Sequence, residues 1–190
     1  MNHKDNLQKL AEHKIDDGLF IDTNIPYEPG GEVGQAYNRY MENADDWVLF
    51  LDQDVFLCNP NWYEICLDAI RFHGNEAGWI TCWTNRIGRT EQKHPDAPES
   101  NDIEEHRQFA KKLWDENGVQ VTDITDMGKD LGSGFFMLTN KMVWRKVGGF
   151  KDGFLGVDND YHVRIRNHGF KMLRLDGLYV YHHYSREWFW

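Results

Sequence analysis

A mostly parallel α/β sheet flanked by helices is the fold that the sequence predicts, and three observations carry that prediction. The apolar run Trp47-Val48-Leu49-Phe50-Leu51 ends abruptly at Asp52-Gln53-Asp54 and reads as a strand buried on both faces. Residues 78–83 and 135–138 form further strand-like runs, and helix-patterned stretches fall between them. Strands that alternate with helices favour parallel pairing, because each crossover returns the chain to the same end of the sheet.

The elements follow in order. Residues 1–18 are polar and form a lead-in, with Leu7, Leu10 and Ala11 on one helical stripe. Leu19-Phe20-Ile21 suits a short strand. Pro26, Pro29, Gly30 and Gly31 make a loop, which opens into a helix over residues 33–41. The Asp-tipped strand comes next. Beyond Asn59-Pro60 a helix over 62–73 buries Trp62, Ile65, Cys66, Ala69 and Ile70. Residues 84–101, with Pro95 and Pro98, are a long polar loop, a feature that in compact domains is functional or mobile. A helix over 102–117 stops at Gly118, and a short strand covers 119–124. Residues 141–147 make one or two helical turns. The glycine-punctuated stretch from Gly148 to Gly156 precedes a helix ending near Asn167-His168-Gly169, with Asp158 placed to cap it. A last strand over 178–181 delivers His182 and His183. No internal repeat or low-complexity segment interrupts this order, so one domain over 1–190 is expected.

Composition narrows the partners. A formal charge of −10 disfavours a nucleic-acid surface, since phosphate backbones need a net basic face. The three cysteines lack zinc-ligand spacing and an even count, so reduced core thiols and a cytoplasmic setting are expected. No apolar run reaches spanning length, so a soluble protein without a transmembrane segment is expected. The eight tryptophans suit packing, and Trp83 and Trp188 also suit stacking on a sugar. The apolar end Trp188-Phe189-Trp190 suits docking on the core or a homo-oligomer contact.

The chemistry concentrates at Asp52-Gln53-Asp54. With 19 aspartates in 190 positions, chance alone gives about two Asp-x-Asp triplets, and the chain has two. The first stands at the end of an apolar strand, where open α/β sheets bind ligands. There, two carboxylates either hold a hard divalent cation or cap the turn that follows. The second triplet, Asp158-Asn159-Asp160, opens a helix, where Asp158 either caps it or serves as a general base, with Asp160 raising its basicity. Asn85 and Arg86 follow a strand, where they either touch phosphate or acceptor or face solvent. Asn38 and Arg39 sit on the first helix, on a donor site or in solvent. Arg186 suits a diphosphate. His162 and His168 read as surface or capping residues.

Taken together, the helix over 34–41, Asp52-Gln53-Asp54, Gly132-Ser133-Gly134-Phe135-Phe136-Met137, Gly148-Gly149-Phe150, Val157-Asp158-Asn159-Asp160 and His182 stand in an order that resembles glycosyltransferase family 2. The resemblance spans roughly residues 19–186. It implies a GT-A fold, a Rossmann-like mostly parallel sheet, and Mn²⁺ or Mg²⁺ bound to the diphosphate of a nucleotide-sugar. By the same resemblance Asp52 lies near ribose or metal, Asp54 ligates the metal directly, and His182 completes the shell; strand alternation lets only one of His182 and His183 reach it. The family's Glu-Asp pair falls on Val157-Asp158, so Asp158 is the implied base. Asp52, Asn38, Asn85, Arg86, Asp160 and Arg186 are the expected donor or substrate contacts, Asp52 and Asn38 through the resemblance and the others from their positions. About thirty residues precede the first helix where the family usually has two strands and a nucleotide-binding turn, so this half is expected to be shortened, as in compact phage and bacterial members, or supplied by a neighbouring chain.

The expected activity is transfer of a sugar from a nucleotide-sugar, a UDP-sugar by analogy, to the hydroxyl of a sugar, lipid or protein acceptor, with inversion. A metal-dependent nucleotide-sugar hydrolase or nucleotidyltransferase and a non-catalytic carbohydrate- or nucleotide-binding module are the alternatives.

Overall fold

The computed structural model describes residues 32–128 and 131–184. The expected lead-in helix, the strand at Leu19-Phe20-Ile21, Arg186 and the Trp188-Phe189-Trp190 end lie outside the described residues.

Five α-helices and one six-stranded sheet make up the described chain. In order they are α1 (Val33–Asn43), β1 (Trp47–Leu51), β2 (Val55–Leu57), α2 (Trp62–His73), β3 (Ala77–Thr84), a 3₁₀ turn (Thr90–Gln92), α3 (Ile103–Asn117), β4 (Val121–Asp123), β5 (Phe136–Asn140), α4 (Lys141–Val147), α5 (Val157–Asn167) and β6 (Lys171–His182). Local chemistry sets several of the ends. Asp102 caps α3 by accepting from the Glu104 N–H at 2.9 Å, and Asn140 caps α4 through Val143 at 2.8 Å. Gly148 ends α4 in the left-handed region, at φ 86°.

The strands lie in the order β1-β5-β3-β6-β2, with β4 also on β6. The sheet is mixed, so the chain keeps the expected single-domain α/β class but not the mostly parallel, Rossmann-like sheet of a GT-A fold. Only β3 and β6 pair in parallel; β1 with β5, β3 with β5, β2 with β6 and β4 with β6 are antiparallel. The physical reason lies in which strand fills the gap left by the first crossover. β1, β3 and β6 all run the same way, as strands joined through helices should, but β5 enters between β1 and β3 in the opposite sense. β1 is correspondingly not buried on both faces. Among the described residues it pairs with β5 alone, and only Phe50 of its five residues is fully buried.

Alternation then divides the core. Ile80, Cys82, Leu138, Leu173 and Leu175 face Ile65, Cys66 and Ala69 of α2. Their neighbours Trp79, Met137 and Met172 face the opposite way, against Met41, Val143, Val147, Tyr161 and Ile165. Across this second face Asn38 ties α1 to the turn after α4: its Oδ1 accepts from Phe150 N–H at 2.8 Å and Trp144 Nε1–H at 2.9 Å, and its Nδ2 donates to the Phe150 carbonyl at 2.9 Å. At Gly34 the same helix touches the 151–152 backbone, and a Cβ there would collide with the Lys151 carbonyl.

The 84–101 segment is held in place rather than loose. Arg89, with its side chain 0% exposed, donates to the Ile124 carbonyl at 2.5 Å and ion-pairs with Glu91 at 3.3 Å. Gln92 donates to Thr81 Oγ1 at 2.9 Å and to the Ser133 carbonyl at 3.0 Å, which fixes the loop ahead of β5. The three thiols are free and buried, and burial pushes Cys58 and Cys66 up to about 12. No helix among the described residues is long and apolar enough to cross a membrane.

Candidate active site

The C-terminal ends of β1, β3 and β6 share one edge of the sheet, and they deliver Asp52, Asn85 and His182 to it. Asp52 N–H donates to the Phe135 carbonyl at 3.1 Å, extending the β1–β5 ladder one residue past the strand. The chain then turns at once, with Val55 N–H donating to the Asp52 carbonyl at 3.1 Å. β2 leaves this turn antiparallel to β6, with Val55 opposite His182, and His183 N–H donates to the Asp54 carbonyl at 3.0 Å. A three-residue turn thus brings a residue from the middle of the chain beside one near its end.

The cluster that results is tight. His182 Nε2 lies 3.2 Å from Asp54 Oδ1 and 3.9 Å from Asp52 Oδ2. One ligand atom from each of the three residues fits within 4.8 Å of the others. His182 itself is 3% exposed, with its ring stacked on Phe135. Its Nδ1 lies 3.0 Å from the Arg86 carbonyl, which can only accept, so Nδ1 carries the proton and Nε2 faces the carboxylates. His183 points the other way, its Nδ1 2.9 Å from the Tyr181 hydroxyl. Alternation along β6 therefore singles out His182.

Electrostatics reinforce the grouping. Burial pushes the Asp52 carboxyl up to about 6; the His182 charge opposes this, and the Asp54 and Asp158 charges add to it. The same side chain keeps 44% of its surface open, so it is enclosed on the protein side and accessible on the other. Two carboxylates and an imidazole nitrogen that converge on one point form a donor set suited to a divalent ion such as Mn²⁺, which accepts both oxygen and imidazole. With Nδ1 engaged at the Arg86 carbonyl, Nε2 is the ring nitrogen left to face the two carboxylates, so a cation placed among them would meet one nitrogen and two oxygen donors, which is the observation that makes a metal fit here.

Asp158 stands beside this cluster, near enough for its charge to act on Asp52. It is not the cap of α5. Gly156, at φ 67°, takes that position, which leaves the Asp158 carboxylate free to reach across to the loop before β5. Oδ2 accepts from Gly134 N–H at 2.9 Å and Oδ1 from Asn159 N–H at 2.8 Å. A Cβ at Gly134 would lie 3.1 Å from the Asp158 Cβ, so the glycine permits this approach.

Other expected contacts are engaged elsewhere. Asn38 is a structural clamp whose amide is spent on Phe150 and Trp144. Asp160 forms an ion pair with Arg164 one turn along α5. Arg86 straps the loop to β6, donating to Asn101 Oδ1 at 2.9 Å, the Glu99 carbonyl at 2.6 Å and the His183 carbonyl at 3.1 Å. Asn85 is buried and acts through its Oδ1, which accepts from His182 N–H at 2.9 Å; its buried Nδ2 has no partner among the described residues. Arg39 lies on the exposed side of α1. Arg186 lies outside the described residues. His162 is not a surface residue: it is 1% exposed, accepts from Gly132 N–H at 2.8 Å and lies 3.2 Å from the Thr125 carbonyl. His168 is exposed and caps α5 through the Arg164 carbonyl at 2.8 Å. Trp83 carries the Arg174 guanidinium on its face at 3.4 Å, so that face is not open to a sugar.

Sequence reasoning missed Tyr37. Burial, and then the Asp52 and Asp158 charges, push its phenol well above the ordinary range, so both carboxylates act on it. Its position one residue before Asn38 carries no motif, so the only available signal was its place on the buried stripe of α1. Two clefts lie away from the cluster, one of about 360 Å³ between α1 and α4 and one of about 560 Å³ between α3 and the 57–61 segment at the end of β2. The chain matches no family model and no curated protein.

Proposed function

We propose that this chain is a metal-dependent glycosyltransferase that moves a sugar from a nucleotide-sugar, with UDP as the expected nucleotide, to an acceptor hydroxyl. The observation that carries the reading is the convergence of Asp52, Asp54 and His182 on one point, with Asp158 at its side. The order of motifs between residues 34 and 182, which resembles that of glycosyltransferase family 2, supports the reading.

Asp54 and His182, with Asp52, would hold Mn²⁺ or Mg²⁺. Such an ion supplies Lewis-acid stabilisation of the diphosphate as it leaves. Asp158 accepts the proton of the acceptor hydroxyl while that oxygen bonds to the anomeric carbon and the bond from this carbon to the diphosphate oxygen breaks. Gly134 N–H and Asn159 N–H orient the carboxylate for this task. One base and a single displacement invert the anomeric centre.

Titrating the protein with Mn²⁺ and then screening nucleotide-sugars by thermal shift tests the reading. The expected result is stabilisation by a nucleotide-sugar only when Mn²⁺ is present, lost in Asp54→Ala, together with a transfer product. Free sugar formed without an acceptor would reassign the site to hydrolysis. Failure of the wild-type protein to bind Mn²⁺ would overturn both.

A further inference from the structure

Four aromatic rings form a floor beneath the acidic cluster, and only one of them is placed to present a hydroxyl to it. Tyr37 stacks on Phe50 with centroids 4.2 Å apart and meets Phe150 edge-on at 5.3 Å. Phe150 in turn stacks on Tyr161 at 4.3 Å. Phe50 and Asp52 lie two residues apart on a ladder that continues through Asp52, so they share a face of the sheet, and a ring lying on Phe50 sits below the Asp52 carboxylate. Asp158 and Tyr161 are likewise three residues apart on α5, on one side of that helix. The Tyr161 hydroxyl is already engaged, 2.8 Å from Thr139 Oγ1. The Tyr37 hydroxyl makes no hydrogen bond to any described residue.

α1 holds Tyr37 firmly. The Asn38 clamp fixes the next residue to Phe150 and Trp144, and Gly34, one turn earlier, is pressed against the 151–152 backbone. The phenol therefore does not gain its position by chance rotation of a surface helix. It is a neutral donor among carboxylates that only accept.

We propose that Tyr37 is a ligand-binding residue of this site, whose phenol donates a hydrogen bond to a sugar hydroxyl oxygen held between Asp52 and Asp158. A hydroxyl suits the position because it can accept from Tyr37 and donate to a carboxylate at the same time, whereas a phosphate oxygen would meet repulsion from both acids. Ribose and the transferred hexose both offer such a group. The phenol stays protonated at physiological pH, because burial and the two carboxylates oppose its ionisation.

The inference rests on the glycosyltransferase reading, and Tyr37→Phe tests it because it keeps the ring on Phe50 and Phe150 and removes one oxygen. The probes are Mn²⁺ alone, then UDP and UDP-glucose with Mn²⁺ present, measured by calorimetry. Tm and the Mn²⁺ Kd should match the wild type. The UDP-glucose Kd should weaken about tenfold, the loss of one hydrogen bond. Equal weakening for UDP assigns the hydroxyl to ribose, and unchanged UDP binding assigns it to the hexose. Wild-type Kd values for both nucleotides in the variant overturn the Tyr37 role alone. A wild-type protein that binds neither nucleotide with Mn²⁺ overturns the nucleotide-sugar reading, and the role of Tyr37 with it.

Discussion

The hydrogen bond from His182 Nδ1 to the Arg86 carbonyl, at 3.0 Å, determines which nitrogen of the ring meets Asp54. A backbone carbonyl cannot donate, so Nδ1 keeps its proton and Nε2 is the nitrogen that faces Asp54 and Asp52, 3.2 and 3.9 Å away. Arg86 is itself fixed through Asn101, Glu99 and His183, so the end of β3, the 84–101 loop and the end of β6 form one support behind the imidazole.

His182→Ala should therefore weaken Mn²⁺ binding by more than the ~10–100-fold typical of losing an outer-shell partner. His183→Ala, on the opposite face of the strand, should leave it unchanged. Calorimetry with Mn²⁺ reads both, and the reverse pattern would assign the wrong histidine.

Asp52 places ligand binding and stability in opposition. Its carboxyl is pushed up from 3.8 to about 6, so between about pH 4 and pH 6 the folded protein binds more protons at this group than the unfolded chain. The contribution of Asp52 to stability thus falls as pH rises through that window. In Asp52→Asn, the metal-free protein should be more stable than the wild type at pH 7.5, with the difference vanishing below pH 4, and Mn²⁺ should bind more weakly. Urea midpoints in EDTA at several pH values measure the first effect. A variant less stable than the wild type at pH 7.5 would contradict it.

Much of this site was legible because the signal was covalently local. Asp52 and Asp54 follow an apolar strand, and the ends of β3 and β6 are marked by apolar runs, so the sequence could place Asn85 and His182 at strand ends. The pairing was not legible, because nothing in 136–140 states that β5 enters between β1 and β3; that is settled by which apolar edges meet in space. β2 escaped notice for a related reason: Val55-Phe56-Leu57 continues an apolar run, and the turn at 52–55 is visible only through its Val55–Asp52 hydrogen bond. The first half of β6, with Lys171, Arg174 and Asp176, was hidden by its polar positions, two of which pair with Glu76 and Trp83. The protein partners of Asn38 and Asp160 were not legible either, because residue type announces a capacity to hydrogen-bond but not whether that capacity is already used.

Asn38→Ala distinguishes a clamp from a ligand contact. It removes three hydrogen bonds at once and leaves the Phe150 backbone and Trp144 Nε1 without partners, at a cost of about 2–4 kcal/mol. Chemical denaturation should show that loss, while Mn²⁺ affinity stays as in the wild type. A stable variant with impaired nucleotide binding would restore the donor-site assignment.

Asp158→Asn should abolish transfer and leave the Mn²⁺ Kd within about twofold, since Asp158 stands outside the three-residue ligand group. Gly134→Ala provides an independent check. Its Cβ would meet the Asp158 Cβ at 3.1 Å, so the carboxylate must shift by a few tenths of an ångström, enough to lower kcat with little effect on stability. Wild-type turnover in Asp158→Asn would remove this residue from the chemistry.

His162 gives the opposite pH trend to Asp52 and so can be separated from it. Burial first, and then the Arg89 charge, lower its pKa from 6.5 to about 4, and at 1% exposure there is little solvent to screen that effect. Between those values the unfolded chain binds the extra proton, so stability rises with pH from about 4 to 6.5, by up to about 3 kcal/mol. Below pH 4 both states are protonated and the contribution is gone. His162→Asn should be destabilised at pH 7, because Gly132 N–H and the Thr125 carbonyl lose their partner, yet it should lack this slope. Urea midpoints at pH 4.5, 5.5 and 7 in the Asp52→Asn background isolate the histidine. Should the double variant keep the rise of the single one, another group carries the acid sensitivity and the neutral, doubly bonded His162 does not.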